Sequence, residues 1–264
     1  MRDTRGVELS DEDRHNHFFT SPYCTITCFI EGESQMVSPS WNNGAGLPRI
    51  NVQGPNTVPL VSYNPGPLYV LGFAFRNDAF YALTGISPET IKDQMLDGQK
   101  ILSGNLVDLI ENSLLNNALD EAGRLSTFQS GLEPLWAQRR ASNFGRFGDR
   151  VSDWANYMVG QLAKSSSAKS ARQFQRKIKK MSGLSQRDLN QFARQENIFE
   201  RTISLRAGEQ TDLSQIALES GFSDQSHMGR EVRRITGKSP RQINQLIQTK
   251  ESYWCYRLME SYYG

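Results

Sequence analysis

The chain has 264 residues, enough for one large domain or two modest ones. Hydrophobic residues make up 38% and charged residues 22% of it, which excludes a disordered protein. The formal net charge of +2 conceals an asymmetry, because residues 1–163 carry 12 Lys and Arg against 18 Asp and Glu, whereas residues 164–264 carry 18 against 10. This division predicts a polyanionic partner for the C-terminal part alone.

The N-terminus and the cysteine content give no indication of export. The first residues, MRDTRGVELSDEDRHN, contain no apolar core of a signal peptide. The longest apolar run, 68–75, is too short to span a bilayer. The three cysteines, Cys24, Cys28 and Cys255, do not resemble a disulfide framework. We therefore expect a cytoplasmic protein that has no membrane partner.

The first 142 residues divide into a polar start and a strand-rich domain. Residues 1–17 are charged, and we expect them to be flexible. Residues 18–142 begin with the strand-like stretches PYCTITCFIE, RINVQG, VPLVSYN and LYVLGFAF, which are separated by Gly, Pro and Asn. The apolar period becomes helical after Phe75. This pattern predicts a small barrel or sandwich with a helical extension.

Two sets of residues in the strand-rich domain suggest ligands. His15, His17, Cys24 and Cys28 have metal-binding side chains, but their spacing is not that of a standard zinc site. Because Cys24 and Cys28 fall on one face of a strand, we predict core cysteines and no metal, with metal or redox sensing as the alternative. The candidates for lining an effector pocket are Trp41, Tyr63, Tyr69 and Arg76. The alternative is that these residues belong to the ordinary core and rim of the domain.

The remainder of the chain has a helical pattern. Residues 143–149, NFGRFGD, contain two glycines and predict a linker. From 150 to 248 apolar residues recur at helical spacing, which predicts an all-α domain. Residues 249–264 form an aromatic tail, which either packs on the rest of the protein or forms a surface for a partner.

Within the all-α part, the stretch 212–240 predicts two helices joined by a tight corner. Gly221 ends the first helix, because glycine adopts a positive φ without strain, and Asp224 or the serine before it caps the second. The predicted buried stripe of the second helix is Met228, Val232 and Ile235. Polar and basic side chains occupy the other face. This is the pattern of a helix-turn-helix, whose second helix enters the major groove of DNA.

The same pattern occurs upstream, in SARQFQRKIKKMSGLS. Ser170 is the predicted N-cap, Gly183 ends the helix, and Ser185 caps the next one. The predicted buried stripe is Phe174, Ile178 and Met181. A helix over roughly 186–207 separates the two motifs and spans about 30 Å. One turn of B-DNA is about 34 Å, so the two presenting helices could enter successive major grooves from one face.

These residues resemble a known family. GFSDQSHMGREVRRITGKSP resembles the signature of AraC/XylS-type transcriptional regulators, and SARQFQRKIKKMSGLS resembles their first recognition helix. The resemblance covers about residues 150–248. Two departures are the turn AKSSSAKS, which lacks the usual glycine, and Val232, where the family usually has Phe. By position, the resemblance implies that the base-reading residues are Arg172, Gln175, Arg176, Gln225, Ser226 and Arg230.

The strand-rich part also resembles the N-terminal domain of a subset of these regulators, through blocks such as HFFTSPYCTITCFIEGESQMV and GPNTVPLVSYNPGPLYVLGFAF. That resemblance implies a β-rich sensory or assembly domain. The chain is thus expected to be an α+β protein with a β-rich N-terminal domain and an all-α C-terminal domain. Lysine acts as a point charge, so we assign basic residues of the two helices to DNA phosphates. They are Lys177, Lys179, Lys180 and Arg233.

The function predicted from these features is sequence-specific regulation of transcription, modulated by a signal at the N-terminal domain. The expected partners are double-stranded DNA, a small-molecule effector, a second copy of the chain and RNA polymerase. We predict no catalytic residue and no cofactor. The alternative is a DNA alkyl-transfer enzyme fused to the same kind of DNA-binding module, which would need an activated cysteine. Its nearest candidates, Cys24 and Cys28, fall on an apparently buried strand face.

Overall fold

The computed structural model describes residues 1–39, 44–139, 150–164, 170–206 and 213–263. Within these ranges the strands precede Gly98, and the chain after Val151 is helical. The predicted α+β class is therefore confirmed. The predicted linker, 143–149, lies outside the described residues.

Two antiparallel sheets form the N-terminal domain. In chain order their strands are β1 (Arg2–Asp3), β2 (His15–Phe18), β3 (Cys24–Glu31), β4 (Gln35–Ser38), β5 (Ile50–Gln53), β6 (Leu60–Tyr63), β7 (Tyr69–Phe75) and β8 (Met95–Asp97). One sheet has the order β1-β7-β3-β5-β8, and the other has the order β2-β6-β4. The central strand β3 pairs Cys28 with Ile50 of β5 and with Leu71 of β7.

Four helices cover the five-stranded sheet. They are α1 (Asn77–Thr84), α2 (Gly98–Ile101), α3 (Gly104–Asn112) and α4 (Glu121–Arg139). The alternating residues of β3 point into the core between this sheet and the helices, where they meet Phe80 and Ile110. Cys24 and Cys28 are both fully buried there, in agreement with the interpretation as core cysteines.

The N-terminal residues correct one expectation. Residues 1–17 were expected to be flexible, but Arg2 pairs with Val70 in β1, and Asn16 pairs with Ser62 in β2. Arg2 is also held by an ion pair with Glu251 at 2.8 Å. The charges of this stretch are matched by partners far along the chain, and these partners stabilise a conformation that composition alone does not predict.

Seven helices form the C-terminal domain within the described residues. They are α5 (Val151–Lys164), α6 (Ala171–Ser182), α7 (Gln186–Arg206), α8 (Leu213–Glu219), α9 (Gln225–Thr236), α10 (Pro240–Thr249) and α11 (Trp254–Tyr263). They enclose two separate hydrophobic cores. Trp154, Ile178 and Phe192 belong to the first core, whereas Ile198 and Met228 belong to the second. The helix α7 contributes residues to both.

The aromatic tail packs on the N-terminal domain. Trp254 Nε1 donates a hydrogen bond to Asn16 Oδ1 at 2.9 Å, and its ring meets Phe18 edge-on. Tyr253 stacks on His17 with ring centroids 4.3 Å apart. Of the two roles considered for the tail, the structure shows the packed one for these residues. No described helix combines the length and the apolar character that a membrane crossing requires.

Candidate nucleic-acid interface

The helix α9 has the construction predicted for a recognition helix. Asp224 caps it by accepting a hydrogen bond from the His227 backbone N–H at 2.7 Å. Gly237 ends it in the left-handed conformation at φ 73°. The predicted stripe of Met228, Val232 and Ile235 is buried. The other face is exposed, and it contains Gln225, Ser226, Arg230 and Arg233.

The corner before α9 also has the predicted form. Gly221 has φ 80°, which lets the chain leave α8 in a left-handed turn. Phe222 follows it and is buried in the second core, and this packing holds the turn between α8 and α9 in place. Thr211 and Asp212, the two residues before α8, lie outside the described residues. Gly237 is the residue that ends α9, because Pro240 is already the first residue of α10.

The helix α6 repeats this construction. Ser170 Oγ accepts a hydrogen bond from the Gln173 backbone N–H at 3.3 Å, and Gly183 ends the helix at φ 70°. Ile178 is fully buried, while Phe174 and Met181 are half-buried against the first core. Lys177 is half-buried. The exposed members of the predicted set are Arg172, Gln175, Arg176, Lys179 and Lys180.

The helix α7 separates the two motifs. It has 21 residues and is therefore about 30 Å long at a rise of 1.5 Å per residue. At its start, Asp188 accepts a hydrogen bond from the Ser185 backbone N–H at 3.0 Å, and Ser185 Oγ accepts one from the Asp188 backbone N–H at 3.1 Å. Near its middle, Gln191 donates to Glu231 of α9 at 3.0 Å. Glu231 also pairs with Arg234, so this arginine is engaged within the protein.

The first motif is docked on the N-terminal domain, which sequence reasoning did not anticipate. Lys179 lies 3.2 Å from Glu89, and Lys92 lies 3.4 Å from Asp188. Trp154 Nε1 donates to Asp78 Oδ1 at 3.1 Å. Burial is the main cause of the raised pKa of Asp78. These partners are 76 to 96 residues apart along the chain, so no local pattern could have predicted them.

The pair between Lys179 and Glu89 predicts a measurable effect on DNA affinity. Both side chains are about half exposed, so the pair itself is weak. A DNA phosphate would compete with Glu89 for the same ammonium group. We expect Glu89→Gln to raise the affinity for DNA about twofold to fivefold at low salt, equally for all sequences. At high salt this increase should disappear. Binding titrations at two salt concentrations measure this, and Glu33→Gln controls for the change in net charge. Equal affinities of the two variants would contradict it.

His17 predicts acid sensitivity of the contact between the tail and the domain. Burial, together with the charges of Lys238 and His15, lowers the pKa of His17 from 6.5 to about 4. The folded protein therefore keeps His17 neutral between these pH values, whereas the unfolded chain binds a proton. The contribution of neutral His17 to the free energy of unfolding is fully present above pH 6.5. It is lost as the pH falls towards 4, by up to about 3 kcal/mol.

Urea unfolding between pH 7 and pH 4 measures this loss. His17→Phe keeps a ring stacked on Tyr253 but cannot titrate, so we expect a shallower decline in its free energy of unfolding. Parallel pH profiles of the variant and the parent protein would rule out His17 as the source.

The three candidate effector residues that the structure describes lie on different elements. Tyr63 donates from its hydroxyl to Asp11 at 2.8 Å, in the three-stranded sheet. Tyr69 is buried in the other sheet beneath the guanidinium of Arg5, and Arg76 precedes α1. Trp41 lies outside the described residues. A small cavity is lined by other residues, among them Met36, Gln53, Leu60 and Met95.

The cysteines and histidines do not form a ligand cluster either. Burial raises the pKa of Cys28 to about 12 and raises that of Cys24 as well. His15 lies against Tyr63, and His17 stacks on Tyr253. No set of three or more potential metal ligands occurs in the described part of the chain. A thiol with a raised pKa is also the opposite of the activated nucleophile that alkyl transfer needs.

Comparison with known proteins identifies the class of this interface. Residues 164–245 match the family model described as "Helix-turn-helix domain", so this part of the chain is similar to domains of that class. The resemblance to AraC-type regulators is confirmed over this region. The match supports a DNA-binding regulator of transcription. No curated protein sequence matches the chain.

Solved structures of ToxT from Vibrio cholerae also resemble the chain. An apo variant from strain SCE256 has 14% identity and a TM-score of 0.39, over 86% of this chain and 91% of that one. Wild-type ToxT of the same strain, bound to an unsaturated fatty acid, has 13% identity and a TM-score of 0.37, over 86% and 93%. This likeness is too weak to assign a ligand or a mechanism.

Proposed function

We propose that this regulator reads two successive major grooves of DNA, with α6 in one groove and α9 in the next. The observation that carries the proposal is the repeated construction of the two helices. Each has a capped start, an apolar stripe that faces a hydrophobic core, a left-handed glycine at its end and an exposed polar face. The length of α7, about 30 Å, suits a separation of one turn of DNA.

The exposed side chains have the chemistry for reading bases. Arginine donates two hydrogen bonds to O6 and N7 of guanine, and glutamine pairs in the same manner with N6 and N7 of adenine. We assign these roles to Arg172, Gln175, Arg176, Gln225, Ser226 and Arg230. Lysine supplies charge without direction, which suits a phosphate. The proposed phosphate contacts are Lys177, Lys179, Lys180 and Arg233.

We further propose that residues 18–142 form a sensory or assembly domain, joined by the linker 143–149 to the DNA-binding domain 150–248 and the tail 249–264. Direct contacts between the N-terminal domain and both recognition helices support such a role, because a change in one domain can reach the other through them: Glu89 pairs with Lys179 of α6, and the Thr20 backbone N–H donates to Ile235 of α9. A small-molecule effector, a second copy of the chain and RNA polymerase are the proposed partners besides DNA.

Selection of duplexes from a random-sequence DNA pool by the full chain tests this function. We expect an enriched sequence that binds about 1,000-fold or more tightly than a scrambled duplex. The logarithm of the affinity should fall steeply with the logarithm of the salt concentration, by about 0.9 for each phosphate contact. Equal binding to the enriched and the scrambled duplex would overturn the proposed sequence specificity.

A further inference from the structure

A short segment of the N-terminal domain contacts both helix-turn-helix motifs at once. Residues 19–23 connect β2 to β3, and we call them the bridging segment. One end packs into the second C-terminal core, the other packs against the first, and the middle bonds to α7. Within the described residues, the two cores otherwise share α7 as a common wall.

The first end of the bridging segment is Phe19. Its ring packs against Phe199 of α7, with centroids 5.4 Å apart, and edge-on against Tyr256 of α11 at 5.2 Å. Tyr256 is buried in the same core as Met228 of α9. The N-terminal domain thereby contributes an aromatic side chain to the core that supports the second recognition helix.

The middle of the bridging segment is Thr20, which is fully buried. Its hydroxyl donates to Gln195 Oε1 at 2.9 Å, and its carbonyl oxygen accepts from Gln195 Nε2 at 2.8 Å. Its backbone N–H donates to the carbonyl oxygen of Ile235, near the end of α9, at 3.2 Å. One residue therefore bonds to both the separating helix and the second recognition helix. Removing either partner of such a buried pair leaves a polar group without compensation.

The other end of the bridging segment reaches the first motif. Tyr23 packs against the core that contains Ile178 of α6. The carbonyl oxygen of Pro22 accepts a hydrogen bond from Asn77 Nδ2 at 2.8 Å. The same amide group of Asn77 donates to the carbonyl oxygen of Ser182, the last residue of α6. Asn77 is fully buried, so these bonds are shielded from water.

We propose that the bridging segment sets the angle and spacing between the two recognition helices, with Thr20, Gln195 and Asn77 as positioning residues. This inference rests on the proposed reading of two grooves. Two motifs joined by one helix lose orientational freedom when both bind DNA together, and this loss weakens binding. A segment that holds both motifs against α7 restricts their orientation before binding and so reduces that loss. The reading faces remain exposed in this arrangement, so the segment orients the helices without covering them.

The double variant Thr20→Val with Gln195→Leu tests the proposal in the full chain, because it removes both side-chain partners together and leaves only the Thr20 carbonyl oxygen without its donor. The probes are the duplex enriched by the parent protein and derivatives with two base pairs inserted between the two major-groove sites that α6 and α9 are proposed to contact. We expect the parent to bind the insertion at least about tenfold more weakly, because one helix loses its groove. The double variant should bind the original duplex about tenfold more weakly and should discriminate against the insertion by less than about twofold.

Thr4→Val is the matched control for a loss of stability. The Thr4 hydroxyl is also buried, but its hydrogen bonds to Leu68 lie within the N-terminal domain. We expect this variant to keep the discrimination of the parent protein at temperatures well below its thermal unfolding. If the double variant discriminates as the parent does, or binds the original duplex more tightly, the role of the bridging segment is overturned. If the parent itself is indifferent to the insertion, the two-groove function fails instead.

Discussion

Gly183→Ala is expected to lower the free energy of unfolding by about 2 to 5 kcal/mol. The residue has φ 70°, and a side chain in this conformation costs about 1 to 2 kcal/mol. An added Cβ would also lie 2.7 Å from the carbonyl carbon and oxygen of Pro88, closer than real Cβ atoms approach. Because these are backbone atoms of the N-terminal domain, relief requires the domain and α6 to move apart, and overpacking of this kind costs about 1 to 3 kcal/mol.

Gly237→Ala is the matched control for this substitution. Gly237 ends α9 as Gly183 ends α6, with φ 73°, but the nearest atom to an added Cβ is Pro59 Cγ at 3.8 Å. The control should therefore lose only the conformational part, about 1 to 2 kcal/mol. Denaturant titration of the full chain compares the two. Equal losses would show that the contact between α6 and the segment at Pro88 is absent in solution.

Arg230→Ala is expected to cost about 1 to 3 kcal/mol of binding free energy on the preferred sequence, roughly a fivefold to 150-fold loss of affinity. Arg230 is exposed in the first half of α9, six residues after the cap at Asp224, where a recognition helix meets base edges. Affinity for scrambled DNA should fall much less, because direct base contacts carry the sequence preference.

Arg233→Ala separates the loss of base recognition from the loss of a positive charge. It removes the same charge from the same helix, but we assign Arg233 to a phosphate, so affinity should fall by a similar factor on every sequence and the salt dependence should become shallower. Competition binding with preferred and scrambled duplexes measures both variants. If Arg230→Ala leaves the ratio of the two affinities unchanged, its assignment as a base-reading residue is wrong.

Local features of the DNA-binding domain were predictable from sequence because their causes are local. A serine or aspartate at a helix start and a glycine at its end act through backbone groups a few residues away, so Ser170, Asp224, Gly183 and Gly221 were identified correctly. The apolar stripes that face the cores follow from helical periodicity. The same holds for β3, where alternation placed Cys24 and Cys28 in the core.

Long-range contacts were not predictable in this way. Arg2 was expected to be flexible, and its partner Glu251 lies 249 residues away. Thr20 and Gln195, which are 175 residues apart, carry no motif that would have indicated their mutual hydrogen bonds. The base-reading assignments remain predictions, because exposure and position on a helix limit which side chains can reach DNA without showing which bases they contact.

Protection of guanine N7 from methylation tests the two-groove account most directly, because this atom lies in the major groove. With the full chain bound to its enriched duplex, we expect two protected patches about 10 base pairs apart on one face of the DNA. Arg230→Ala should weaken protection in one patch, and Arg176→Ala should weaken it in the other. A single protected patch, or one patch weakened by both substitutions, would contradict the account.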